Sequence, residues 1–143
     1  MVNKQTFYII FRRCDSKLPW WQRMFVPDKR MDEFSHCGVM MQFGCDVLQV
    51  DSDHQGVWFN KMFDKEVAGG FIDAELLAQA YEREKGYKVL RYVASSRGVF
   101  HCGNLPPTCV TMVKSIIGRS SWEITPYQLY KGLIKDGAVE IHG

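Results

Sequence analysis

Strand-like segments that follow one another in the first half of the chain constrain its fold most. Residues 35–42 and 46–51 are rich in apolar and β-branched side chains, and only residues 43–45 separate them. This pattern predicts a β-hairpin. Residues 56–62 continue the series after a polar turn, and residues 7–12 predict an earlier strand. The first half of the chain therefore predicts an antiparallel sheet.

Helical patterns dominate the second half. The predicted elements there are a helix from an N-cap at Asp73 to Lys85, a strand over 87–94 with both faces buried, a helix from Cys109 to Gly118, a helix that opens at Thr125 and Pro126, and a short strand over 139–141. This order is typical of an α+β fold with an antiparallel sheet packed against helices. At 143 residues we expect a single domain over residues 1–143.

Composition and charge exclude several classes of protein. The chain is 46% hydrophobic and 24% charged, and no apolar run approaches the roughly 18 residues of a membrane span. A net charge of +2 gives no support for nucleic-acid binding. The first residues lack a signal-peptide pattern, so we expect a cytoplasmic protein, located in the host cytoplasm or the virion if the chain is viral. Five irregularly spaced cysteines predict free thiols.

The segment around Cys109 carries the strongest chemical signal. Two prolines end the preceding segment and Thr108 is a good N-cap, which places Cys109 in the first turn of a helix. There the helix dipole and unpaired backbone N–H groups favour a thiolate. Two interpretations stay open at this point. Cys109 is a nucleophile if a base lies nearby, and a small buried hydrophobic residue if none does.

Histidines are the candidates for that base. His36 opens a predicted strand, from which an imidazole can reach a thiol across the edge of the sheet. His101 lies in the loop before Cys109 and is either a local hydrogen-bonding group or a site residue. His54, in a polar turn, and His142, next to the last residue, are predicted to be solvated.

A zinc site is a further interpretation of the same region. Its candidate ligands are His36, Cys37, His101, Cys102 and Cys109. Neighbouring residues in a strand point to opposite faces, and the sequence has no Cys-x-x-Cys or His-x-x-x-His spacing. These arguments disfavour zinc, so we predict no metal and no cofactor, and Cys37 and Cys45 are interpreted as packing residues.

The segments 34–40 and 108–114, with a tryptophan-rich loop before the first of them, carry a resemblance to a known family. They resemble the circularly permuted papain-like (NlpC-type) hydrolases, which include YiiX- and YebB-type bacterial proteins, tailed-phage proteins and relatives of lecithin retinol acyltransferase. In that family the histidine strand precedes the cysteine helix, the reverse of ordinary papain-like enzymes. The resemblance covers about residues 6 to 135.

The resemblance implies a role for each matching residue. It makes Cys109 the nucleophile and His36 the base. A polar group on the next strand would orient the imidazole; Gln49 is the best match and Asp51, on the same strand face, is the alternative. The backbone N–H of Cys109 would be one oxyanion donor, and Tyr8 and Gln42 are candidates for the second.

Two functions from different classes follow. The first is a cysteine-dependent hydrolase or acyl-transfer enzyme that acts on an amide, ester or thioester, for example a peptidoglycan peptide, an isopeptide or an acyl-chain substrate. The second is an inactive binding or structural module, such as a component of a virion, with an inert Cys109. Trp20 and Trp21 form either a lip that binds a substrate or protein partner, or a cap on the core.

Overall fold

The computed structural model describes residues 4–12, 36–43, 46–53, 56–62, 73–95, 109–119 and 121–142. Its strands are β1 (Lys4–Arg12), β2 (His36–Phe43), β3 (Asp46–Asp53), β4 (Gly56–Met62), β5 (Lys88–Ser95) and β6 (Val139–Glu140). Its helices are α1 (Ala74–Lys85), α2 (Cys109–Ile117) and α3 (Pro126–Lys135). The predicted α+β class and the order of the elements are confirmed within these ranges.

The strands form one antiparallel sheet in the order β4-β3-β2-β1-β5-β6. The hairpin that was predicted from residues 35–42 and 46–51 is the β2–β3 pair, in which Val39 lies opposite Val50. β1 lies between β2 and β5 at the centre of the sheet. Its apolar residues therefore have hydrogen-bonded neighbours on both sides.

Each face of the sheet has its own apolar core. Ile9 and Phe11 of β1 point to the face that packs against α2 and α3. They share this core with Leu133 of α3. Tyr8 and Ile10 point to the opposite face, which packs against Ala74 and Ala78 of α1 and other residues of that helix. This alternation is the period of two expected of a strand that is buried on both faces.

One burial prediction for β5 is wrong at its far end. Val89 and Leu90 are fully buried, whereas Val93 is 52% exposed. The apolar character of residues 87–94 therefore overstated the burial of the strand. β6 pairs only with Leu90 and Arg91, so the short partner strand does not extend alongside Val93.

The helix ends have the stabilising groups that the sequence predicts. Asp73 Oδ1 accepts from the backbone N–H of Glu75 at 2.8 Å, and Gly86 ends α1 with a φ of +69°, a conformation that favours glycine. Thr125 and Gln128 form a capping box at the start of α3. Thr108, the predicted N-cap of α2, lies outside the described residues, as do His54, His101, Cys45, Trp20 and Trp21.

A buried lysine holds the segment between α2 and α3. Lys114 is 4% exposed, and its Nζ donates to the carbonyl oxygens of Ser121 and, at 3.0 Å, Glu123. Arg119 Nε donates to the Glu123 carboxylate at 2.7 Å. These contacts connect α2 to the segment before α3 and so position the helix that begins at Cys109. None of the helices in the described ranges is long and apolar enough to cross a membrane.

Truncation of a core leucine tests the packing against α3. Leu133 is fully buried, and Leu133→Ala is expected to lower the free energy of unfolding by about 3 kcal/mol because it leaves a cavity. Leu76 of α1 is 63% exposed, and Leu76→Ala is expected to cost less than about 0.5 kcal/mol. Urea unfolding of both variants measures the difference. Equal losses would contradict this assignment of the core.

Candidate active site

The pairing of β1, β2 and β3 brings three polar residues together at one end of these strands. His36, the first residue of β2, lies opposite Arg12, the last residue of β1. Asp51 on β3 lies close to Gly38, because a Cβ added at Gly38 would be 3.4 Å from the Asp51 Cγ. The same Cβ would be 3.2 Å from the carbonyl oxygen of Val50, so glycine leaves room for a close approach of β3.

His36 and Asp51 form a direct contact at this end of the strands. His36 Nε2 is hydrogen-bonded to Asp51 Oδ1, and the two side chains are only 13% and 6% exposed. Arg12 Nη2 lies 3.7 Å from Asp51 Oδ2. Because Nε2 is used by Asp51, the Nδ1 of the imidazole is the nitrogen left for another partner.

Cys109 begins α2 and packs against the apolar core that contains Cys37. Its sulfur is hydrogen-bonded to the His36 side chain and to both the thiol and the backbone N–H of Cys37. His36 and Cys37 are the first two residues of β2, so the start of the helix meets the start of the strand. The imidazole reaches the sulfur around the end of the sheet, while the Cys37 thiol lies on the same face as α2.

These contacts make Cys109 a much stronger acid than an ordinary thiol. The hydrogen bond from the Cys37 thiol lowers the pKa of Cys109 most, and burial raises it. The hydrogen bond with His36, the backbone N–H of Cys37 and the charge of His36 lower it further, so the pKa is about 5. Burial raises the pKa of Cys37 well above its ordinary value, so this thiol keeps its proton and can donate it in a hydrogen bond.

The imidazole is correspondingly a stronger base than a free histidine. Burial by itself lowers the pKa of His36, but the hydrogen bonds with Asp51 and Cys109 and the charges of both groups outweigh it and raise the pKa to about 9. Between about pH 5 and about pH 9 the pair is therefore a thiolate beside an imidazolium ion. A thiolate is the nucleophilic form of cysteine, and an imidazolium is a proton donor for a leaving group.

Of the two candidates for the third residue, the structure places Asp51 against the imidazole. Gln49 Oε1 instead accepts from the Tyr81 hydroxyl at 3.1 Å, and Gln49 lies opposite Met40, four residues along β2 from His36. The contact that was predicted first for Gln49 is thus made by Asp51. A carboxylate both orients the imidazole and stabilises its positive charge, which an amide cannot do.

Neither side chain suggested as the second oxyanion donor lies near Cys109. Gln42 is six residues from His36 along β2, about 20 Å in an extended strand, and its Oε1 accepts from the backbone N–H of Ala74 at 2.7 Å. Tyr8 lies opposite Met40, about 13 Å along the sheet from His36, on the face covered by α1. His142 is exposed, in agreement with its predicted solvation.

Two residues of the site were not predicted from the sequence. Cys37 was interpreted as a packing residue; it is fully buried in the core, and it also donates to the Cys109 sulfur. Arg12 is the last residue of the strand that was predicted over residues 7–12, and no role was predicted for it. Its position beside Asp51 follows from the register between β1 and β2, which the sequence does not reveal. A basic residue at the end of an apolar strand is only a weak signal for such a site.

The described residues contain no group of three or more His, Cys, Asp or Glu arranged to hold a metal ion. His101 and Cys102, two of the candidate zinc ligands, lie outside those residues. Comparisons with protein-family models, with curated proteins and with solved structures found no match to the chain.

The role of Cys37 predicts a change in the titration of Cys109. Cys37→Ala removes the thiol hydrogen bond, so the pKa of Cys109 is expected to rise clearly above about 5, whereas Cys37→Ser keeps a donor and should keep the pKa low. The measurement is the rate of Cys109 alkylation by iodoacetamide from about pH 4 to about pH 10, with mass spectrometry to identify the modified cysteine. An unchanged titration in Cys37→Ala would refute this role.

Proposed function

We propose that the chain is a thiol hydrolase or acyl-transfer enzyme of the circularly permuted papain-like type. The observation that carries the proposal is the continuous series of contacts from Asp51 through His36 to Cys109. A nucleophile, a base and a group that orients the base are the recurring parts of enzymes with a covalent acyl intermediate. The histidine strand precedes the cysteine helix in the chain, the order that the permuted family implies.

The proposed reaction has two steps. The Cys109 thiolate attacks the carbonyl carbon of an amide, ester or thioester, and His36 gives its Nδ1 proton to the leaving group as the carbon–heteroatom bond breaks. In the second step a water molecule gives a proton back to His36 and attacks the thioester. This releases the acid and the Cys109 thiolate, and another nucleophile in place of water gives acyl transfer. Asp51 holds the imidazole and offsets its positive charge in both steps.

Backbone groups at the start of α2 suit the negative charge of the tetrahedral intermediate. The N–H of Cys109 belongs to the first turn of the helix, where N–H groups have no partner within the helix. The positive end of the helix dipole adds to their effect. A peptide, an isopeptide or an acyl ester each supplies such a carbonyl.

An inactive module with an inert Cys109 is the rival interpretation. It requires a sulfur out of reach of His36, whereas the two groups are hydrogen-bonded. Burial alone would raise the pKa of a packing cysteine, as it does for Cys37, but the pKa of Cys109 is lowered. These contacts favour the enzyme.

Hydrolysis of a neutral activated ester, 4-nitrophenyl acetate, tests the proposal. We expect turnover with acetyl-Cys109 detectable by mass spectrometry, and loss of both with Cys109→Ala. Since Cys109→Ala also removes a buried sulfur, thermal unfolding of the variant shows that it is folded. Turnover that survives in Cys109→Ala, or a Cys109 that titrates like a free thiol near about pH 8.5, would refute the proposal.

Substitution of the two candidate third residues separates their roles. Asp51→Asn keeps the shape but removes the charge, and we expect kcat/KM to fall by about 100-fold or more. Gln49→Ala is expected to lose far less with the same neutral ester, because Gln49 contacts Tyr81. The larger loss in Gln49→Ala would reverse the assignment.

The pH dependence of the wild-type reaction follows from the two shifted groups. The rate is expected to rise through about pH 5, as Cys109 loses its proton, and to fall through about pH 9, as His36 loses its own. In Asp51→Asn the pKa of His36 is expected to be lower, so the upper limb moves toward neutral pH. A profile of kcat/KM against pH for both proteins measures the shift; an unmoved upper limb would contradict the role of Asp51.

A further inference from the structure

A small polar cavity lies beside the imidazole, on the face of the sheet that α1 covers. Its volume is about 180 Å³, and among the residues that line it are Arg12, His36, Asp51, Tyr81 and Lys85. Cavities that enclose a whole organic ligand are about 300 to 1,000 Å³, so this one has room for a single group of a larger molecule. Cys109 is not among the described residues that line it, so a group bound there leaves the sulfur free to react.

The charges around this cavity are mostly positive. Arg12 and Lys85 have cationic side chains, and His36 is the third positive group. Asp51 is the only carboxylate among the described lining residues, and its oxygens already face His36 and Arg12. The net charge of the wall therefore favours an anion.

Arg12 also offers a donor that the described residues do not satisfy. Its Nε is buried and has no hydrogen-bond partner among them, and its Nη2 lies 3.7 Å from Asp51 Oδ2, beyond a normal hydrogen bond. A buried N–H without an acceptor is costly, and a guanidinium matches the planar oxygens of a carboxylate or phosphate. Arg12 is 35% exposed and Lys85 is exposed, so both can meet a ligand that enters from solvent.

Two tyrosines, Tyr81 and Tyr87, also line the cavity. The Tyr81 and Tyr87 rings lie 6.0 Å apart, and the Tyr81 hydroxyl donates to Gln49 Oε1 at 3.1 Å. These contacts join α1 to β3 and to the residue just before β5, and side chains that already have partners cost less to order around a ligand.

We propose that this cavity binds a carboxylate or phosphate group of the acyl substrate, held by Arg12 and Lys85 while the reacting carbonyl lies at Cys109. The inference rests on the proposed function and narrows its substrates to acyl compounds that carry an anionic group near the bond that breaks. His36 lines the cavity on one side and contacts Cys109 on the other, so the anion would lie next to the imidazolium during the reaction.

Anion binding can be measured without catalysis. In Cys109→Ala, titration calorimetry with inorganic phosphate is expected to show binding that Lys85→Gln weakens about fivefold, the effect of one exposed charge. Arg83→Gln is the matched control, because Arg83 is in the same last turn of α1, is 60% exposed and is not among the described residues that line the cavity. Absence of binding, or equal weakening by both substitutions, would overturn the proposal.

A pair of esters tests whether the anion belongs to the substrate. With active protein, kcat/KM for mono-4-nitrophenyl glutarate, which carries a carboxylate, is expected to exceed that for neutral 4-nitrophenyl acetate. Lys85→Gln should reduce this preference about fivefold through KM, and Arg83→Gln should not. Phosphate that binds while Lys85→Gln leaves the preference unchanged would identify a site for free anions and overturn the assignment to substrate.

The outcomes distinguish this inference from the proposed function. If the neutral ester is hydrolysed through Cys109 and the ester preference does not depend on Lys85, the function stands and the subsite is refuted. If neither ester reacts, the function is refuted and the assignment to substrate falls with it, whereas phosphate binding in Cys109→Ala reports on the cavity independently.

Discussion

The register of β1, β2 and β3 is the constraint on which the candidate site depends. It sets Arg12 opposite His36 and brings Asp51 to the same end of the strands. Because side chains alternate along a strand, a shift of one residue between β2 and β3 would turn Asp51 to the other face and leave the imidazole without its carboxylate. The same shift would turn Val50 out of the core that packs against α2 and α3, so the packing of that core and the geometry of the site are maintained together.

The chemistry of the site depends on the opposite effects of burial and hydrogen bonding on the pKa values of its side chains. Burial raises the pKa of both cysteines, but only Cys109 receives enough hydrogen bonds and positive charge to reverse the effect. The two adjacent thiols therefore differ: Cys109 is a thiolate at neutral pH and Cys37 is a donor. Along the contacts from Cys109 through His36 to Asp51 the charges alternate in sign, so each buried charge has an opposite neighbour that compensates the loss of hydration.

The local signals that were read from the sequence predicted the elements well. Alternating apolar residues, the Asp73 and Thr125 caps and Gly86 all act within a few residues, and the observed helices and strands begin and end close to the predicted positions. The candidate nucleophile and base were also visible, as a cysteine at a helix start and a histidine at a strand start. The choice between Gln49 and Asp51 was not, since both lie on one face of β3 and differ only in their distance from His36 across the strand pair.

The amino-acid sequence by itself determined where strands and helices form, which faces are apolar, and that Cys109 and His36 each lie at the first residues of an element. Only the tertiary structure decided that these two starts meet, that Asp51 supports the imidazole, that Cys37 donates to the thiolate, and that Arg12 and Lys85 face one cavity. The physical reason is range. Propensity and capping act between neighbours in the chain, whereas hydrogen bonds and charges at the site act between residues that register and packing bring together.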